Sequence, residues 1–529
     1  MTTNIATEAT SHGAEQAAEA VQPLLSLVDH LPVLVVLVPF LAGPLIVLLG
    51  SRRLAWPLAF AAAVSSLTGA LMLLGQVYDG AAISYHIGGW APPLGIEYRI
   101  DPANAFVMVI VSAIAVAILP YARASIAEEI PVRHHALFYA LFLLSFTGLL
   151  GVAATGDAFN LFVFLEISSL STYVLVAMGS YRDKRALTTA FNYLLMGTTG
   201  ATFFVIGIGF LYMSTGTLNM ADLAALIAEQ PGNRTIHAGF AFIIVGMGLK
   251  VAMYPLHLWL PNAYTYAPSA VSAFLAATAT KVAVYVLLRF LFTVFGLTYA
   301  FEWAELTFVV LPLALLAMFA ASFIAIFQVN FKKMLAYSSI AQIGYMLLGI
   351  AMLSETALTG TIVHLFNHAI TKATLFMVIG AYVLRAGGAF YRDIEGIGRI
   401  MPWTTGAAVI GGLSLIGVPG TAGFVSKWLL VQGALEKGWW WLALLIVASS
   451  LLAVIYVWKG IEMVYLRPPR EDIDRREAPL SMLIPIWIMA LSTIYFGLSA
   501  ELTVGAARTA ADALMNGASE LLISGKVGQ

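Results

Sequence analysis

Apolar runs of about twenty residues recur from residue 31 to residue 500, each long enough to cross a hydrocarbon layer about 30 Å thick. No other feature restricts the fold as much. Inside hydrocarbon every backbone N–H and C=O must find its partner within the protein, which leaves helices or closed barrels, and runs of this length are helical. Composition agrees: 60% of the 529 residues are hydrophobic and 10% are charged, against about 25% charged in a soluble protein. The chain is expected to be an all-α polytopic membrane protein. It has no cysteine, which excludes disulfides, thiolate-held iron–sulfur clusters and thiol metal ligands. Any redox chemistry would belong to another subunit. The net charge of −1 points to no class of partner.

Fourteen spans are expected, at 31–50, 54–75, 104–121, 135–155, 158–179, 188–213, 237–260, 269–295, 305–328, 334–353, 356–385, 402–435, 439–466 and 479–500. Residues 1–30 are polar and contain no Lys or Arg, so they lack the basic start of a secretory signal and read as a retained tail. Residues 219–229 and 502–524 read as amphipathic helices in the membrane interface. With the N-terminus outside, the inner loops collect sixteen of the 27 Lys and Arg and the outer segments five. That bias predicts both termini on the outer side.

An ionisable side chain at mid-helix costs roughly 2.5–3.5 kcal/mol to insert, so each one is a functional candidate. Lys250 and Lys281 both lie deep in apolar sequence, with Pro255, His257, Pro261 and Pro268 between them. Proline frees backbone carbonyls, which is tolerated where they face protein or a water-lined cavity. Pro255 and Pro261 therefore predict a break in span seven. Pro419-Gly420 predicts another in span twelve, shortly before Lys427. Lys281 follows Lys250 by 31 residues, and Lys459 follows Lys427 by 32. The two broken spans are five apart, an odd offset that implies opposite orientation. We therefore expect two inverted five-helix repeats, 135–296 (helices 4–8) and 305–466 (helices 9–13). The rest would be a tail over 1–30, peripheral helices 1–3 over 31–121, and helix 14 with an amphipathic C-terminus over 479–529.

Glu166 lies in the middle of span five, and a carboxylate there needs a cation; Lys250 is its natural partner. A static structural pair is the alternative. Lys281 has no carboxylate in its own span. It reads as a site that loads and unloads a proton, the alternative being a side chain that reaches for the interface. His364, His368 and Lys372 fall at i, i+4 and i+8 on one helix face, where histidines can relay protons. A metal held by the two histidines is the rival, weakened by the lack of a third ligand nearby. Lys459 has Glu462 at i+3 and reads as structural. Lys332-Lys333 and the Arg182, Lys184 and Arg185 group read as loop anchors. The row Glu166, Lys250, Lys281, His364, His368, Lys372 and Lys427 favours lateral proton hopping over a central solute pocket.

These residues resemble the proton-translocating antiporter-like subunits shared by Mrp-type cation/proton antiporters, respiratory complex I and membrane-bound hydrogenases. The resemblance covers about residues 100–466. It rests on Phe159-Asn-Leu-Phe-Val-Phe-Leu-Glu166, on Lys250 to Pro261 with Asn-Ala-Tyr after it, on Ala267-Pro-Ser-Ala-Val-Ser, on Tyr337 to Tyr345, and on His364 to Lys372. It implies fourteen helices, inverted repeats and broken helices 7 and 12. It implies Glu166–Lys250 as a coupling pair, Lys281 as the central site, the histidines as connectors and Lys427 as the terminal site. It also implies no cofactor or metal, a transporter subunit rather than an enzyme, and a prokaryotic cytoplasmic membrane. The implied partners are an A-type subunit and small Mrp-type subunits, with Na+ moved by the complex. The chain looks most like the D branch of Mrp antiporters; Lys427 suits both that branch and the N type of complex I. The alternative is an M- or N-type subunit of complex I or of a hydrogenase. A stand-alone solute carrier is a third class.

Overall fold

The computed structural model describes residues 28–471 and 474–524, so the tail expected over 1–30 lies outside them except for its last three residues. The first helices are α1 (Leu31–Leu49), α2 (Arg52–Val77), α3 (Pro102–Glu129), α4 (His135–Ala154), α5 (Ala158–Ala177), α6 (Arg185–Thr215) and the short α7 (Met220–Ala228). Then come α8 (Arg234–Val251), α9 (Trp259–Tyr266), α10 (Ser269–Ala277), α11 (Ala279–Leu288), α12 (Leu306–Phe327), α13 (Phe331–Ala351) and α14 (Glu355–Ala386). The last are α15 (Pro402–Ile416), α16 (Ala422–Glu436), α17 (Trp440–Ile461), α18 (Leu480–Leu498) and α19 (Glu501–Ser524).

Thirteen stretches among the described residues are long and apolar enough to cross a membrane. The expected twelfth span, 402–435, is the one missing from these: it is divided into α15 and α16, each of 15 residues and too short to cross alone. Helices α10–α11, α13 and α14 are buried along nearly their whole length, whereas α1 and α18 turn most of their apolar surface outward. This is the reverse of a soluble fold: Leu48 is 83% exposed, as lipid contact requires. Helix α14 runs through the middle, against α3, α10, α13, α15, α16, α18 and α19.

Close crossings depend on glycine. A Cβ at Gly148 would come within 2.5 Å of Ser168 N, so α4 and α5 touch backbone to backbone. A Cβ at Gly246 would come within 2.6 Å of Gly200 O, which fixes the helix carrying Lys250 against α6.

Three interruptions position the polar groups. Helix α8 stops at Val251, Ala252 takes a left-handed conformation (φ 61°, ψ 43°), and α9 starts at Trp259. Pro255 lies within this interval. Pro261 lies in the first turn of α9, where a missing N–H costs nothing. Gly417 (φ 91°) ends α15 and Gly420 (φ 85°) follows Pro419, before Thr421 starts α16. The third interruption has no proline or glycine: span eight, expected as one helix over 269–295, is divided at Thr278 (φ −124°, ψ −59°).

The two amphipathic segments pack on protein. Helix α7 buries Met220, Leu223 and Ile227. Helix α19 buries Ala506, Ala507, Ala510, Ala511 and Leu514 and lies over α14, α3 and the π-helical turn Arg289–Val294. A short antiparallel hairpin, β1 (Ile83–His86) with β2 (Glu97–Ile100), precedes α3 and pairs Ile83 with Ile100.

Candidate functional site

A buried ammonium needs acceptors, and one carboxylate serves only one lysine here. Every other lysine of the row finds backbone carbonyls instead. Carbonyls become available where a helix ends or breaks, and helix C-termini also carry the negative end of the dipole. The interruptions therefore decide where the charges sit.

Lys250, at the C-terminal end of α8, donates to Glu166 Oε1 at 3.1 Å and to Ser169 Oγ at 2.8 Å, both on α5. The expected pair is thus brought together. The carbonyls freed beyond it are used locally: Leu249 O accepts from Trp259 Nε1 at 2.9 Å and Gly248 O from Met253 N at 2.9 Å. Among the described residues no hydrogen bond joins Lys250 to Lys281.

Lys281 is 1% exposed and has no ion-pair partner among the described residues. Its Nζ donates to Ala276 O, immediately before the break at Thr278, and to Thr280 Oγ1 at 3.4 Å. It does not reach an interface. Helix α10, immediately before the break, packs along α14, which carries His364, His368 and Lys372.

On α14 the rings of His364 and His368 stack with centroids 5.9 Å apart. His364 Nδ1 is 2.8 Å from Ser426 Oγ. Nε2 of His364 and both ring nitrogens of His368 are buried without a partner among the described residues, which leaves them open to a proton or a water. Lys372 turns aside, donating to Leu335 O (2.8 Å) and Ser338 Oγ (2.5 Å) on α13. Lys427 donates to Leu415 O (3.2 Å) and Ile416 O (2.9 Å), the carbonyls freed by the 417–421 interruption, and to Ser450 Oγ (3.1 Å). It also lies 4.8 Å from the ring of Tyr345, which is itself 5.9 Å from the ring of His364. The geometry therefore links His368, His364, Ser426, Tyr345 and Lys427. Among the described residues no three His, Asp or Glu gather as a metal site.

Two assignments from sequence change. Lys332 is not a loop anchor: it is 4% exposed and donates to Ala267 O (3.3 Å) and Ser269 Oγ (3.2 Å). It borders a cleft of about 280 Å³ whose lining includes Glu129, Arg182 and Asp393. Lys459 is structural, but not through Glu462: its Nζ donates to Ile326 O (2.8 Å) and Gln328 O (3.0 Å) at the end of α12. Sequence reading also passed over a buried pair, Arg289 with Asp101, 2.6 Å apart. The signal was present as an arginine inside span eight and an Asp-Pro at the start of span three.

Fold and site together define a class: a helical membrane protein whose buried middle carries protonatable side chains, three of its lysines, Lys250, Lys281 and Lys427, seated at helix interruptions. Residues 155–453 match the family described as NADH:quinone oxidoreductase/Mrp antiporter, TM, and the chain belongs to that family. It is 41% identical over 489 residues to the N-type subunit of the NADH-quinone oxidoreductase of Desulforudis audaxviator, covering 89% of this chain and 96% of that one. It is 28% identical over 475 residues to the D-type subunit of the Na(+)/H(+) antiporter of Alkalihalophilus pseudofirmus, covering 89% and 94%. Among solved structures, a chain of the Mrp complex from Dietzia sp. is similar in fold, with TM-score 0.86, 24% identity and 94% and 99% of the chains covered. A chain of an archaeal membrane-bound sulfane sulfur reductase is similar with TM-score 0.84, 28% identity and the same coverage.

Proposed function

We propose that this chain is the proton-translocating subunit of a multisubunit Na+/H+ antiporter of the Mrp type. The observation that carries the reading is the pair of lysines, Lys281 and Lys427, held by neutral acceptors with two open imidazoles between them. A lysine without a counter-charge in a dry interior releases its proton far more readily than one held by a carboxylate. In this reading the Glu166–Lys250 pair opens and closes, and each change in the charge near Lys281 drives a proton toward His368, His364 and Lys427. Residues 135–296 and 305–466 form the two halves, each contributing one lysine at a helix interruption. The D-type antiporter relatives support this context. It implies the cytoplasmic membrane, both termini outside, an A-type and small Mrp-type subunits as partners, and transport without an enzymatic step in this chain. The test is antiport by the intact complex in vesicles. Lys250→Ala or Glu166→Ala should abolish it, and near-normal activity would overturn the mechanism.

The 41% identity to an N-type oxidoreductase subunit favours a second reading, the same module in a redox-driven complex. Copurifying subunits separate the two: small antiporter subunits support the first, iron–sulfur and quinone-site subunits the second. A solute carrier that works alone would instead transport after purification of this chain by itself.

A further inference from the structure

Helix α3 is fastened at both ends to the broken helix that carries Lys281. At one end Glu129 accepts from Ser269 N, at 3.2 and 3.0 Å from its two oxygens. At the other Asp101 Oδ2 meets Arg289 Nη2 at 2.6 Å. The second contact lies on the side away from the Lys- and Arg-rich loops, and it stands in line with Lys281.

Lys281, Tyr285 and Arg289 follow at i, i+4 and i+8 along α11 and its π-helical extension, so Arg289 lies about 12 Å beyond Lys281. Tyr285 stands between them along the helix, its OH 3.2 Å from Arg289 Nε and 3.3 Å from Ala153 O, while Lys281 Nζ turns the other way, to Ala276 O. Beside Tyr285 and Arg289 is a cavity of about 20 Å³ lined also by Arg99, Asn104, Thr155 and Thr293, room for one water among polar groups. Past Lys281, this face of the helix thus carries a hydroxyl and room for a water on the way to the surface. A subunit that moves protons sideways must close this route.

We propose that Asp101 and Arg289 are its seal. The inference rests on Lys281 carrying a proton. A guanidinium keeps its protons at any physiological pH, so Arg289 cannot serve as a step in a relay as a lysine can. Asp101 is equally fixed: Oδ1 accepts from Ala103 N (3.0 Å) and Asn104 N (3.1 Å) as the cap of α3, while Oδ2 holds Arg289. Thr293 Oγ1 takes a further Arg289 proton at 3.3 Å. Tyr285, Thr293 and the cap of α3 thus hold the pair in place, and its guanidinium releases no proton. Helix α19 lies over the same turn and covers it from outside.

The test is sodium-free proton uptake by the intact complex in vesicles, driven by a potassium diffusion potential and read with a trapped pH dye. Arg289→Gln leaves Asp101 free to titrate and should raise uptake several-fold. Arg289→Lys, which keeps the charge but can lose it, should give a smaller rise and serves where the first variant fails to assemble. Adding Lys281→Met to the leaking variant should return uptake to the wild-type level. Assembled variants with unchanged uptake per complex would show only a structural strut and overturn the seal. A leak that survives Lys281→Met would overturn the route. The antiport test on Glu166 and Lys250 is independent: normal antiport there, with a leaking Arg289 variant, removes the coupling pair and leaves the seal.

Discussion

Lys250 Nζ lies 3.1 Å from Glu166 Oε1 and 2.8 Å from Ser169 Oγ, joining two helices across 84 positions of sequence. Among the described residues it is the one lysine of the row held by a carboxylate. The others rest on carbonyls or hydroxyls, which cannot change charge. In the proposed mechanism the switch sits here, where both partners can change.

Removing one partner strands the other as an uncompensated buried charge, at a cost of about 3–5 kcal/mol, while replacing both with apolar groups is nearly neutral. Glu166→Leu alone and Lys250→Met alone should therefore lower the melting temperature of the detergent-purified complex sharply, and the double variant should regain most of it. Antiport should stay absent in all three. A double variant that regains antiport along with stability would make the pair a mere strut.

Lys281→Arg should leave assembly intact and stop translocation. Arginine keeps the positive charge, but it does not release a proton. Its larger planar head must also fit where Nζ now meets Ala276 O and Thr280 Oγ1. The measurement is antiport per assembled complex, and activity close to wild type would mean that Lys281 acts only as a fixed charge.

Gly148→Ala should be destabilising although it touches no charged group. Its Cβ would meet Ser168 N at 2.5 Å and Ser168 Cβ at 2.7 Å, backbone and side-chain root that cannot move alone. Overpacking of this kind costs about 1–3 kcal/mol. Because Ser168 and Glu166 share α5, the shift should also weaken antiport. A thermal shift with full antiport would show that the carboxylate tolerates displacement of its helix.

Thirteen of the fourteen expected spans, and the burial of Lys281 and Lys427, were legible because each follows from one rule: length for crossing, and the cost of burying a charge. The breaks at Ala252 and Gly417 were legible because proline and glycine announce them. The break at Thr278 was not, because no proline or glycine marks it: it is held by local side-chain bonds, Thr278 Oγ1 donating to Phe274 O at 2.7 Å and Lys281 taking the freed Ala276 carbonyl. Lys332 was misread because its burial is tertiary. It starts a helix, where hydropathy places an anchor, and only packing against Ala267 and Ser269 buries it. The Asp101–Arg289 contact spans helices far apart in sequence, and residue spacing along one helix holds no information about it.

Two contacts lead from His364 toward Lys427: the hydroxyl of Ser426, its neighbour in sequence, and the ring of Tyr345. Ser426 Oγ lies 2.8 Å from His364 Nδ1, and it also donates to Gly423 O at 3.3 Å, one turn back. Ser426→Ala removes the imidazole's partner at a cost of about 1 kcal/mol, so the complex should assemble with little change in melting temperature. Transfer between His364 and Lys427 should nonetheless slow, since the ring loses the bond that orients it. Antiport should fall in Ser426→Ala and recover in Ser426→Thr, which restores the hydroxyl. Equal activity in wild type and Ser426→Ala would place the route elsewhere, with Tyr345 as the remaining bridge to Lys427.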